Sequence, residues 1–135
     1  MMQVKDVPME TVWQLRRDVM YPGETIDFVK LDGDENGFHW GLYVQHVLVS
    51  VISVFEQDAT VQFRKFATQT SQQGKGYGTM LLQYVINWAT RNHKKKIWCN
   101  ARVSATALYR KFGMQTAGES WTKHGIEFIK MEKQL

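Results

Sequence analysis

The sequence predicts a mixed α/β domain built on one sheet, occupying residues 1–135 as a single unit. Three observations predict it. Residues 39–44, 47–55 and 60–68 are rich in β-branched and aromatic side chains and are joined by short connections. Met80, Leu81, Tyr84, Val85 and Trp88 then fall on one face of a helix, ahead of another β-rich run at residues 97–101. A chain of 135 residues, 44% hydrophobic and 22% charged, is also large enough to bury a core without disulfides or metal.

In chain order, Val12, Leu15 and Val19 lie at helical spacing, so residues 11–20 form a helix that Pro22 and Gly23 close. The brief Gln45-His46 connection joins residues 39–44 and 47–55 as a hairpin. Residues 60–68 make a third long strand. A polar, glycine-rich turn over residues 69–78 leads into the helix that ends near Arg91 and Asn92. Residues 97–101 read as a buried strand. A short helix over residues 104–112 stops at Gly113, which suits a left-handed C-cap. Residues 114–120 and 126–131 form a closing hairpin. No repeat, low-complexity tract or linker interrupts the chain, so no domain boundary is expected.

Charge and cysteine usage narrow the function classes. Cys99 is the only cysteine, which excludes an intrachain disulfide and suits a reducing cytoplasm. Residues 1–10 hold no apolar run of signal-peptide length, and no stretch is long enough to span a bilayer. The expectation is a cytoplasmic protein with no membrane partner. A net charge of +4 invites an anionic partner. Lys94, Lys95 and Lys96 read as a solvated loop, and no nucleic-acid motif accompanies them, so a phosphate-rich cosubstrate is the better match.

The stretch Gln73-Gly74-Lys75-Gly76-Tyr77-Gly78 lies between a predicted strand and a predicted helix. Alternate glycines remove the Cβ atoms that keep a bulky anion from the backbone. The helix that follows aims free N–H groups and the positive end of its dipole at the same place, which suits a diphosphate. The dinucleotide fingerprint fails, because Thr79 stands where its last glycine belongs. The P-loop fails too, for want of a Gly-Lys-Ser/Thr ending. On spacing alone, a glycine-rich turn without a ligand remains open.

Three segments together carry a resemblance. Gln73-x-x-Gly76-x-Gly78 opening a helix resembles the Q/R-x-x-G-x-G/A signature of the GNAT superfamily of acyl-CoA N-acyltransferases. Phe63-Arg64-Lys65-Phe66-Ala67-Thr68 is similar to that family's central strand, and Tyr109-x-x-x-Gly113-Met114 to its Tyr-x-x-x-Gly-Phe ending. The likeness runs from Thr60 to Met114; before it, only the order of elements agrees. It implies a central, mostly antiparallel twisted sheet flanked by helices. It also implies an enzyme that passes an acetyl group from acetyl-CoA to a primary amine, with no metal. A non-catalytic coenzyme A-binding module on the same scaffold is the alternative.

By the resemblance, the amides of Gly74, Gly76, Gly78 and Thr79 bind the pyrophosphate, with Gln73 shaping the turn and Lys75 and Tyr77 completing it. Backbone groups of Phe66 and Thr68 pair with the pantetheine arm. Tyr109 is the catalytic residue, protonating the thiolate that leaves as the amine attacks. Two positions depart from the pattern. Thr68-Gln69-Thr70 stands where the family has Val-x-Pro, and Arg102 where many members have Asn, free there to meet a coenzyme phosphate or an anionic group of the substrate.

Other constellations have plainer readings. Asp32-Gly33-Asp34-Glu35-Asn36-Gly37 begins like a calcium loop, but Tyr43 occupies the place of its bidentate Glu, so it reads as an acidic turn. Glu24, Asp27, Asp32, Asp34 and Glu35 form an acidic segment that either draws in a cationic amine or is a solvated loop. His39, His46, His93 and His124 lack metal-ligand spacing, and Cys99 reads as packing. No carboxylate lies in residues 60–68, which leaves Glu56 or a water relay as the general base. The acceptor, a small amine or a peptide N-terminus, is not legible. Exposed terminal strands suit a homodimer.

Overall fold

A computed structural model describes residues 1–135, and it adds a strand that composition does not announce. Met2–Asp6 (β1) is mostly exposed and carries little apolar pattern. It is a strand because β2 (Phe38–Val44) offers it an edge, pairing antiparallel from Met2 opposite Val44 to Asp6 opposite Trp40. β2 returns as β3 (Val47–Gln57) through Gln45 and His46, at φ 51° and 68°. Both central residues are left-handed, which matches the strand twist even without glycine.

The remaining strands are β4 (Thr60–Thr68), β5 (Lys96–Arg102), β6 (Gln115–Lys123) and β7 (Ile126–Gln134). The sheet runs β1-β2-β3-β4-β5-β7-β6. β5 pairs β4 in parallel and β7 antiparallel. The crossover between the parallel strands contains a helix of 15 residues, Tyr77–Arg91, as such a connection requires. The chain divides into two compact units, Met1–Phe55 with Lys65–Val85 and Glu56–Arg64 with Ile86–Leu135.

In the first unit, α1 (Met9–Met20) buries Val12 and Leu15 with Val7, Val51 and Ala67. It starts ahead of the predicted boundary because Pro8, with φ already fixed, accepts the first helical bond from Val12. The short α2 (Ile26–Val29) is capped by Thr25 Oγ1, which accepts from Phe28 N at 3.3 Å.

Beneath these helices lies a buried polar knot. Arg16 is 0% exposed and grips Asp34 with both terminal nitrogens at 2.8 and 2.9 Å. The same guanidinium donates to Val29 O at 3.0 Å and Ser53 Oγ at 2.8 Å. These four bonds from the two terminal nitrogens make the buried cation tolerable, although Nε finds no partner. Asp34 also accepts from Trp13 Nε1 and Leu31 N. Burial works against its ionisation, but Arg16 and these donors overcome it and hold the carboxyl down to about 2.

In the second unit, Ile97, Cys99, Met114 and Met131 are buried. Residues 104–112, expected as one helix, divide into a 3-10 turn at Val103–Ala105 and α3's successor in sequence, Thr106–Arg110 (α4, with α3 being Tyr77–Arg91). α4 stops early because Phe112 N and Gly113 N close tighter bonds to Tyr109 O and Arg110 O, and Gly113 takes φ 86°. The β6–β7 hairpin runs further than expected, turning at His124 and Gly125 (φ 53° and 76°), with Trp121 stacked on Phe128.

Candidate active site

The glycine loop is a bend of bare backbone. Thr70–Gln72 forms a 3-10 turn, and Gln73 Nε2 reaches back to Thr68 O at 3.1 Å, tying the loop to the end of β4. Gly74 and Gly76 sit at φ 79° and 83°, and a Cβ at either would meet nothing within 4 Å. The space is open, and the backbone conformation is one that L side chains resist. The first bond of α3 outside its own interior runs from Met80 N to Gly76 O, at 3.1 Å. The N–H groups of Tyr77, Gly78 and Thr79 therefore lie in the first turn, where a helix supplies no acceptor.

Gly78 is close-packed instead. A Cβ there would stand 3.1 Å from Phe66 Cζ and 3.3 Å from Thr68 Oγ1. Gly78 of the bend, Phe66 and Thr68 are thus brought together. Thr68 Oγ1 is held by Ser50 Oγ at 2.9 Å, and Gln69 N bonds Val49 O at 2.8 Å. Lys75 is exposed, with Nζ on Gln72 Oε1 at 3.2 Å, and Tyr77 is half-buried.

β4 has two irregularities that the sequence does not reveal. Its parallel pairing with β5 covers only Thr60–Lys96, Val61–Ile97 and Gln62–Trp98, although both strands run on. Past Gln62 the strands part. Lys65 then adopts φ 52° in mid-strand, a left-handed conformation uncommon for a side chain of this kind. No residue-type signal marks either feature, because tertiary pairing creates both.

Tyr109 lies at this parting. Its ring centroid is 5.7 Å from that of Phe63, the first β4 residue beyond the pairing. Burial, with neighbouring Cys99 of β5 adding to it, pushes the phenol well above its ordinary range. Tyr109 O accepts from Phe112 N and Met114 N, and Lys133 Nζ holds Phe112 O at 2.8 Å, so the segment is braced on β7. At neutral pH the phenol keeps its proton and can donate it.

The other residues singled out by sequence have separate places. Arg102 is exposed at the end of β5 and leads into the Val103–Ala105 turn. Glu56 is held by Lys94 Nζ at 2.6 Å. Cys99 is buried and its thiol is pushed up to about 12 by that burial, which suits packing. His39 is buried between Ser53 Oγ (2.8 Å) and Asp34 O (2.7 Å). Because a carbonyl only accepts, Nε2 carries the proton toward Asp34 O. In the acidic segment, Asp34 is committed to Arg16 and Asp27 pairs with Lys30 at 3.0 Å.

Comparison with known proteins agrees with this geometry. An uncharacterized N-acetyltransferase of Bacillus subtilis (strain 168), YitI, is 26% identical over 145 residues, covering 100% of this chain and 97% of that protein. A crystal structure of a putative N-acetyltransferase from Lactobacillus plantarum superposes with a TM-score of 0.88 at 21% identity, covering 99% of this chain and 98% of that one. A GNAT family acetyltransferase from Elizabethkingia anophelis with acetyl-CoA bound superposes with a TM-score of 0.77 at 19% identity, covering 99% and 98%. The family described as "Acetyltransferase (GNAT) domain" matches residues 20–135. That span takes in every element from the end of α1 to β7, and the chain belongs to the GNAT acetyltransferase family.

Proposed function

We propose that this acyltransferase moves an acetyl group from acetyl-CoA to a primary amine, with Tyr109 as the proton donor to the departing thiolate. The observation that carries the reading is the parting of β4 from β5 with Tyr109 beside it. A half-buried tyrosine there keeps its proton at neutral pH and adjoins both strands through Phe63 and Cys99. The open bend supports the cosubstrate assignment, since Gly74 and Gly76 leave space that a phosphate needs and a Cβ would enter.

When bound, acetyl-CoA supplies an activated thioester. The N–H groups of Gly74, Gly76, Gly78 and Thr79 hold its pyrophosphate, while Gln73 fixes the bend and Lys75 adds charge from its rim. Backbone groups of Phe66 and Thr68 orient the arm along β4. Arg102 meets an outlying phosphate. Tyr109 Oη gives its proton to sulfur as the C–S bond breaks and the amine nitrogen bonds to carbon, and the proton that nitrogen gives up restores the phenol; the raised pKa keeps the phenol protonated until that step.

Release of free thiol from acetyl-CoA in the presence of an amine panel tests the reading. Tyr109→Phe should lower kcat about 100-fold and leave coenzyme A affinity unchanged. An unchanged kcat would remove Tyr109 from the chemistry. Tight coenzyme A binding with no turnover of any amine would favour a non-catalytic binding module.

A further inference from the structure

Lys65 is a half-buried cation on an irregular backbone with no carboxylate beside it. Lys30, Lys94 and Lys96 each pair with an acidic side chain; Lys65 instead donates to the hydroxyl of Tyr21, just past the end of α1. An ammonium has only donors, and the phenol oxygen has accepted one of them. The ammonium also stands over the Tyr21 ring, 4.8 Å from its centroid, and no carboxylate or carbonyl accepts from it. Converging donors without an acceptor make a place for an anion.

The direction of this pair separates it from the cosubstrate. Phe66 and Thr68 turn toward Gly78 at the start of α3, whereas Ala67 packs with Val12 and Leu15 of α1. Lys65 reaches Tyr21 and so stands on the α1 side of β4. The left-handed backbone at Lys65 holds it there, and such conformations persist where the surroundings over-determine them, often at ligand sites. Phe28, 56% exposed, sets its ring edge-on to Tyr21 at 5.3 Å and gives the pair an apolar flank.

We propose that Lys65 and Tyr21 bind an anionic group, a carboxylate or a phosphate, carried by the acceptor amine. This rests on the acetyl-transfer reading, because it assigns the face of β4 opposite the cosubstrate to the second reactant. In the acidic segment of residues 24–35, Asp34 and Asp27 are already paired within the protein.

The test compares amines that differ in the charge they carry, glycine with glycinamide and O-phosphoethanolamine with ethanolamine, with kcat/KM taken per unprotonated amine because the carboxylate and the phosphate raise the amine's own pKa. Wild type should favour one charged member over its neutral partner by roughly 10- to 100-fold in kcat/KM, the worth of a charged hydrogen bond. Which pair shows it distinguishes carboxylate from phosphate. Lys65→Asn, chosen because Asn tolerates a left-handed backbone, should erase the preference through KM; Lys65→Arg should keep part of it, and KM for acetyl-CoA should not move. Equal use of charged and neutral amines by wild type, or equal slowing of both in Lys65→Asn, would overturn the proposal. If no amine is turned over although coenzyme A binds, titrating the coenzyme A complex with N-acetylglycine and N-acetylglycinamide decides. Tighter binding of the charged product supports the site, and equal or absent binding overturns it. Failure to bind coenzyme A at all would sink the parent reading, and this one with it.

Discussion

Replacing Gly76 by Asp and by Asn separates the two reasons a glycine stands in the bend. Both substitutions add a Cβ at φ 83° where nothing lies within 4 Å, so steric cost inside the protein is the same. The left-handed backbone costs a side chain on the order of 1 kcal/mol, and Asn and Asp tolerate it best. The variants differ only in charge. A carboxylate about 5 Å from one phosphate charge is repelled by roughly 1–3 kcal/mol, taking an effective dielectric between that of water and that of a protein surface. Gly76→Asp should therefore bind coenzyme A about 10- to 100-fold more weakly than Gly76→Asn, which carries the cost of the added Cβ alone. Titration calorimetry measures both, circular dichroism verifies the fold, and added salt should narrow the gap. Equal affinities in the two variants would mean that no phosphate sits at this bend.

Two further outcomes follow from titrating groups. The folded-state value of Asp34 is about 2 against an ordinary 3.8, so its contribution is complete above 3.8 and is lost as pH falls toward 2. That loss amounts to about 2 kcal/mol in urea unfolding. Arg16→Met combined with Asp34→Leu should flatten the acid limb, and an unaltered limb would detach it from this pair. Tyr109 must be protonated to act and titrates above the ordinary 10.0, so kcat should hold through pH 10. A fall centred at 10.0 would show that the phenol is not the shifted acid described above.

The parts legible in sequence are those where local pattern and tertiary role coincide. Val47 to Phe55 is apolar enough to be a central strand in any context, and β3 is one. The bend from Gln73 to Gly78 declares itself because glycine is needed where the backbone is left-handed and open. β1 escapes because its polar, exposed residues become a strand only by pairing with β2. Lys65 escapes for a related reason: its residue type is unremarkable, and its conformation belongs to β4's place in the sheet. Arg16 and Asp34, 18 residues apart, carry no spacing signal, and only the packing of α1 over the following loop joins them. Glu56 shows the converse, since a carboxylate chosen by position as a candidate base is tied to Lys94.

Following the backbone amides of the protein by NMR while adding coenzyme A, and separately pantetheine, tests the central claim most directly. The amides of Gly74, Gly76, Gly78 and Thr79 should shift strongly with coenzyme A and little with pantetheine, which lacks the diphosphate. Large coenzyme A shifts elsewhere, with these four silent, would contradict the assignment of the bend and the acetyl-transfer site built on it.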